Sequence, residues 1–369
     1  MEKVLAALIV IAALPSSAAA WHRLPPGADG WAESGRPAMR GVTVGPIESS
    51  LHPGLGYGTE ASDVLLAHLA AMGANWVSIT PFGRVWDLNS THIDMDFEAA
   101  YEENRVAVRR VIAQAHAHGL QVLLIPHLWV ETGGWRGEME PTNWPDYQES
   151  YRSFVRAWAR DGEMAGADAL SIGVECKSWS GRFGGFWTSF IADLREDFSG
   201  LLTYSANWDE AEDVLFWDQL DFVGINAFYP LADHDDASDE EYLEGARQIV
   251  PTVEALADVL MMPVVFVEVG YTTRSNAAVE PWLWPDGMEN VVVDEREQAR
   301  GLDAVFRAFL PQDFFAGFFI WRYYAHLHDI SQESEWGFSP HGKMAERVLR
   351  LSFGERFAAD PSPWAWERL

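Results

Sequence analysis

Two glutamates in this 369-residue chain stand where a carboxylate is costly. Glu175 closes the run Leu170-Ser171-Ile172-Gly173-Val174, and Glu268 closes Val264-Val265-Phe266-Val267. Each is a lone acid ending an apolar segment of the kind that forms a strand buried on both faces. An ionised carboxylate costs several kcal/mol to bury unless partners satisfy it. A single such Glu reads equally well as one half of an ion pair with Arg. Two of them, 268 − 175 = 93 residues apart, favour use. One carboxyl that gives a proton to a leaving oxygen and one carboxylate that attacks carbon are what cleavage of a glycosidic bond requires. A gap of about 5–5.5 Å between them would give retention through a covalent intermediate.

The elements that must position this pair can be read from the chain. Short apolar or β-branched runs recur at Gly41–Val44, Trp76–Thr80, Val122–Pro126, Ala169–Glu175, Leu201–Ser205, Phe222–Asn226, Val264–Glu268 and Gly317–Trp321. Amphipathic stretches at Ala61–Met72, Phe97–His118, Tyr147–Gly166, Tyr242–Leu260, Glu295–Leu310 and Lys343–Leu351 lie between or after them. A fifth helix near Ala211–Trp217 is weakly signalled. Alternating strands and helices imply a parallel sheet, and eight strands imply an α/β fold, a single (β/α)8 TIM barrel. An open doubly wound sheet is the alternative. The glycines of Gly54–Gly58 lack dinucleotide-binding spacing, and no P-loop is present. Glu175 and Glu268 then end the fourth and seventh strands. Strand C-termini are where parallel barrels carry their chemistry.

Composition sets outer limits. Asp and Glu number 55 against 26 Lys and Arg, a net charge of −29. So acidic a surface repels a phosphate backbone, which argues against nucleic acid as partner. Anionic membrane surfaces are disfavoured likewise. The one cysteine, Cys176, excludes an internal disulfide framework and Cys-rich metal sites. Lys3, the apolar run Val4–Leu14, Pro15 and Ala18-Ala19-Ala20 have the layout of a secretory leader. The run is short for a membrane span. Residues 1–20 are therefore expected to be removed after Ala20, and residues 21–369 to form one barrel domain. The product is expected to be secreted or periplasmic, off the membrane, and a monomer.

The chain resembles glycoside hydrolase family 113, whose known members are β-mannanases. The segments that carry the resemblance are Ile79-Thr80-Pro81-Phe82, Pro126-His127, Trp135-Arg136-Gly137, Ile172-Gly173-Val174-Glu175 and Thr203-Tyr204-Ser205-Ala206-Asn207-Trp208. They continue with Gly224-Ile225-Asn226-Ala227-Phe228-Tyr229-Pro230, Glu268-Val269-Gly270-Tyr271 and Ile320-Trp321-Arg322-Tyr323-Tyr324. The resemblance implies Glu175 as acid/base and Glu268 as nucleophile. It also implies a polysaccharide or oligosaccharide substrate. One departure stands out: the clan's usual strand-four ending is Asn-Glu, and here Val174 precedes the acid. The amide that meets the sugar 2-hydroxyl must come from elsewhere.

Other strand ends supply candidates for substrate contact. Tyr229 follows the sixth strand, where its hydroxyl could hydrogen-bond the nucleophile or simply pack in the loop. Asn207 and Trp208 end the fifth strand and Asn226 the sixth. His127 and Trp129 follow the third, Arg84 and Trp86 the second. Trp321, ending the eighth, could floor a sugar ring. Trp135, Trp144, Trp179, Trp187, Trp282, Trp284 and Trp336 crowd the connections and divide between core and rim. Neither a metal nor any other cofactor is expected. His326-Leu327-His328-Asp329 is a weak ligand motif that leaves a metal-dependent barrel hydrolase as an alternative. A non-catalytic glycan-binding barrel is another, because Val174 and Cys176 flank the proposed acid, and a retaining β-glycosidase acting on another β-linked polysaccharide is a third.

Overall fold

The structure is a computed structural model that describes residues 38–45, 54–97, 99–283, 291–328 and 336–355. The expected leader, Trp284 and Asp329 lie outside the described residues. All eight apolar runs become parallel strands. These are β1 (Met39–Gly45), β2 (Trp76–Ile79), β3 (Gln121–Leu124), β4 (Ala169–Val174), β5 (Leu201–Asn207), β6 (Val223–Asn226), β7 (Val264–Val269) and β8 (Phe315–Tyr324). Each pairs with its neighbours in chain order, and β8 pairs back onto β1, which closes the barrel. Beyond β2 and β3 the chain forms a small second sheet from Phe82–Val85 and His127–Val130. It extends one side of the barrel mouth.

Two apolar layers hold this arrangement. Met39, Trp76, Leu123, Ala169, Leu201, Val265 and Phe319 from seven strands, with Phe222 just before β6, belong to the cluster that fills the barrel interior. A larger cluster packs the outer strand faces against the helices. Gly41 is required here by space. A Cβ on it would lie 2.3 Å from the Phe319 ring.

The six helical stretches read from sequence appear with small shifts at their ends: Glu60–Met72, Tyr101–Ala117, Trp144–Ala165, Asp239–Leu260, Glu295–Phe309 and Met344–Arg350. Their starts follow local chemistry. Thr59, Asn143 and Asp294 accept backbone N–H bonds at helix N-termini, and Ser238 with Glu241 completes a capping box. A further helix, Gly184–Asp197, was not anticipated. Its buried Trp187, Phe190, Ile191 and Leu194 have helical spacing. The weakly signalled fifth helix is replaced by two short 3-10 turns, Ala211–Asp213 and Trp217–Gln219. Among the described residues no helix is long and apolar enough to cross a membrane.

Gly41→Ala is expected to force Phe319 off its rotamer and to destabilise the barrel by about 1–3 kcal/mol. Urea unfolding of the variant against wild type measures this.

Candidate active site

Both glutamates follow a break in strand alternation. In β4, Ala169 faces the interior, and Leu170 and Ile172 face the helices. Strict alternation would turn Val174 outward, yet it packs inside, and the register against β5 shifts between Ser171 and Val174. In β7, Val265 and Val267 point inward while Val264 and Phe266 point outward. Alternation would send Glu268 towards the helices. Instead the register against β6 shifts after Ile225, so that Asn226 pairs with Glu268, and Val269 takes the outward position. Irregularities of this kind re-aim side chains at barrel rims. Glu175 adds a backbone φ of 48°, a left-handed conformation that costs a non-glycine residue on the order of 1 kcal/mol.

The two carboxyl groups face one cavity of about 680 Å³. Glu175 accepts hydrogen bonds at Oε2 from Trp135 Nε1 (2.9 Å) and from Arg136 (2.8 Å), and at Oε1 from Asn226 Nδ2 (2.9 Å). Asn226 also reaches Glu268. Glu268 is 2% exposed, with His127 Nε2 3.3 Å from its Oε1. Burial, and then the charge of Glu175, push the Glu268 carboxyl well above the usual range. The guanidiniums of Arg136 and Arg322 and the Asn226 amide act in the opposite direction. Burial holds His127 well below its ordinary value, so it is neutral at pH 7 and makes no ion pair with Glu268. Its ring stacks on Trp321, 5.8 Å between centroids at 15°.

A second layer fixes the backbone after Glu175. The Cys176 N–H donates to the Tyr204 hydroxyl at 2.6 Å, and that hydroxyl donates to Glu210. Glu210 is buried, and burial pushes its carboxyl up to about 8; the charge of Glu175 adds to the rise.

Of the sequence-derived candidates, His127, Trp129, Asn207, Trp208 and Trp321 line the cavity with the two glutamates. Asn226 bonds Glu175 from beneath. Two candidates lie elsewhere. Tyr229 packs between Trp208 and Phe266, at 5.4 and 6.3 Å, and lines a neighbouring cavity; Phe266 faces outward, which draws Tyr229 away from Glu268. Arg84 pairs with Glu131 at 2.8 Å and lies over the Phe82 and Trp129 rings, outside the cavity lining. Arg136 and Arg322, the charges that act on Glu268, were not among the candidates. Both lie in segments that carry the family resemblance, which was the available signal. The tryptophans divide as follows. Trp135 and Trp282 line the cavity. Trp179 and Trp187 are fully buried, with Trp144 packed against Trp179.

A parallel eight-stranded barrel with two glutamates at the ends of β4 and β7, inside a tryptophan-lined cavity, defines a barrel hydrolase of glycosidic bonds. The family model described as Glycoside Hydrolase Family 113 matches residues 53–343, and the chain belongs to that family. Solved structures agree. The family 113 β-mannanase from Alicyclobacillus acidocaldarius, in complex with ManMIm, is 26% identical, with a TM-score of 0.74 over 86% of this chain and 97% of that one. A family 113 β-1,4-mannanase, solved as a complex, is 23% identical with a TM-score of 0.74, over 86% and 99%. A family 5 mannosidase from Rhizomucor miehei shares the fold at 11% identity and a TM-score of 0.59, over 92% and 98%. No curated protein sequence matches the chain.

Glu210 gives a pH test of the supporting layer. Its raised carboxyl keeps its proton in the folded chain to about pH 8, whereas the unfolded chain loses it near 4.5. Relative to Glu210→Gln, wild type should lose stability as pH rises from about 4.5 to about 8, with a limiting slope of about 1.4 kcal/mol per unit. Paired denaturation curves across that window measure the difference.

Proposed function

We propose that this protein is a secreted retaining endo-β-1,4-mannanase, with Glu175 as acid/base and Glu268 as nucleophile. The observation that carries the reading is the pairing of these two buried carboxyl groups in one aromatic cavity, bridged by Asn226. The names of the family 113 relatives support mannan as the polymer.

The reading implies a double displacement. Glu268 attacks the anomeric carbon while protonated Glu175 gives its proton to the departing oxygen, which leaves as an alcohol. The covalent glycosyl-enzyme is then opened by water, whose proton passes to Glu175, restoring both groups. Glu268 must be ionised to attack, although burial favours its neutral form. Arg136 and Arg322 supply the opposing charge. The double displacement needs one proton in the pair, on Glu175. Substrate binding must leave that proton on Glu175, which requires loosening its contact with Arg136 as the glycosidic oxygen arrives. Trp321 and the other cavity tryptophans offer flat apolar faces to the sugar rings. Asn207, an amide on the cavity wall, is the one offered to the sugar hydroxyls in place of the missing residue before Glu175.

Glu268→Ala should lower kcat on polymeric mannan by about 10⁴-fold or more. Glu175→Ala should lower it by about 10²–10⁴-fold. Glu175→Ala should also keep the first step on an aryl β-mannoside, whose leaving group needs no proton. Wild-type rates in both variants on mannan, glucomannan, xylan and cellulose would refute the assignment. Arg322→Gln should move the acid limb of the kcat/KM profile to higher pH, because Glu268 loses a stabilising cation. The leader is tested by N-terminal sequencing of the exported protein, expected to begin at Trp21.

A further inference from the structure

A histidine cluster lies outside the cavity, where the first and last units of the barrel meet. His68 comes from the helix that follows β1, His341 from the loop after β8, and Glu346 from the first turn of the helix Met344–Arg350. One donor atom from each lies within 4.8 Å of the others. His68 Nε2 is 2.8 Å from Glu346 Oε1, and His341 Nδ1 is 3.6 Å from Oε2. The imidazoles of His68 and His341 stand edge to face at 5.3 Å. His328 lies beyond them, 5.7 Å from His341. The His341 Nδ1 atom is buried without a hydrogen-bond partner. An orphaned imidazole nitrogen beside a carboxylate and a second imidazole is a donor set for a divalent transition metal.

We propose that His68, His341 and Glu346 bind a zinc ion, with His328 turning in as fourth ligand, and that this ion staples the two ends of the barrel together. Tetrahedral zinc brings nitrogen and oxygen donors to about 3.3 Å from one another. The present spacings, 2.8 Å from His68 to Glu346, 3.6 Å from His341 to Glu346 and none above 4.8 Å, bracket that value. Glu346 also accepts from Arg350 at 2.8 Å and from the Gly342 N–H at 2.7 Å. The Arg350 side chain is 47% exposed and can turn to solvent as the ion enters. The Gly342 bond keeps the carboxylate oriented, as outer hydrogen bonds commonly do around metal ligands. Burial holds the His341 imidazole below its ordinary value, which leaves it neutral and competent to ligate at pH 7. None of these residues lines the catalytic cavity, so the ion is structural and hydrolysis does not pass through it.

The test uses the full chain after chelator treatment, titrated with zinc chloride in a calorimeter and then melted with and without the ion. One zinc per chain is expected, and at a hundredfold excess over Kd a rise in Tm of about 3–4 °C. His341→Ala and Glu346→Gln should lose both effects while still unfolding cooperatively. His234→Ala, an exposed control, should keep them. Absence of stoichiometric binding, or binding in His341→Ala equal to wild type, would mean an adventitious ion only and overturn the proposal. If His341→Ala does not fold, cobalt(II) added to wild type decides. Strong visible absorption of a four-coordinate ion supports the site, and the weak spectrum of the hydrated ion overturns it.

Discussion

Burial and the nearby charge of Glu175 resist ionisation of Glu268, and most of the mouth of this barrel answers that cost. Trp135, Arg136 and Asn226 converge on Glu175. Arg136 and Arg322 offset the cost of charge on Glu268. His127 stays neutral beside it and adds no cation of its own. The carboxyls would fall to uselessly similar roles if both environments were the same. Contacts from different strands keep them distinct.

Much of this was legible in the sequence. Apolar runs bounded by polar residues gave every barrel strand. The position of a lone acid at the end of two such runs singled out Glu175 and Glu268 among 55 acidic residues. The register breaks were not legible, because alternation in a strand buried on both faces leaves no polar residue to betray a slip. Hence Tyr229 could be expected on Glu268 although it packs on the outward-facing Phe266. Arg136 was hidden for another reason. It lies in a connection, and a loop arginine looks the same in sequence whether it meets solvent or a buried carboxylate. The Gly184–Asp197 helix has apolar spacing too, but it opens on Gly184-Gly185 with no side-chain cap to mark its start.

The 18 tryptophans make a related point. Trp179, Trp187 and Trp144 join Tyr147, Tyr151, Phe186 and Phe216 in an aromatic layer behind β4 and β5. That layer abuts Tyr204, whose hydroxyl holds the backbone after Glu175. Core aromatics and catalytic geometry are thus parts of one packing unit. Trp208 and Trp282, by contrast, stack on one another at 5.8 Å on the wall of the cavity, and Trp282 is 45% exposed.

The slip in β7 has a consequence for how this gene can change. Val265 and Val267 fill the interior, and Glu268 follows on the same side only because one extra residue interrupts the ladder. Substitutions among these valines alter volume and leave orientation intact. Loss of one codon between Val264 and Val267 would remove that extra residue, and plain alternation would still turn Glu268 inward and Val269 outward. The interior would lose one side chain beneath the carboxylate. The bulge is thus a reserve of length: this strand can shorten by one residue without turning its acid away.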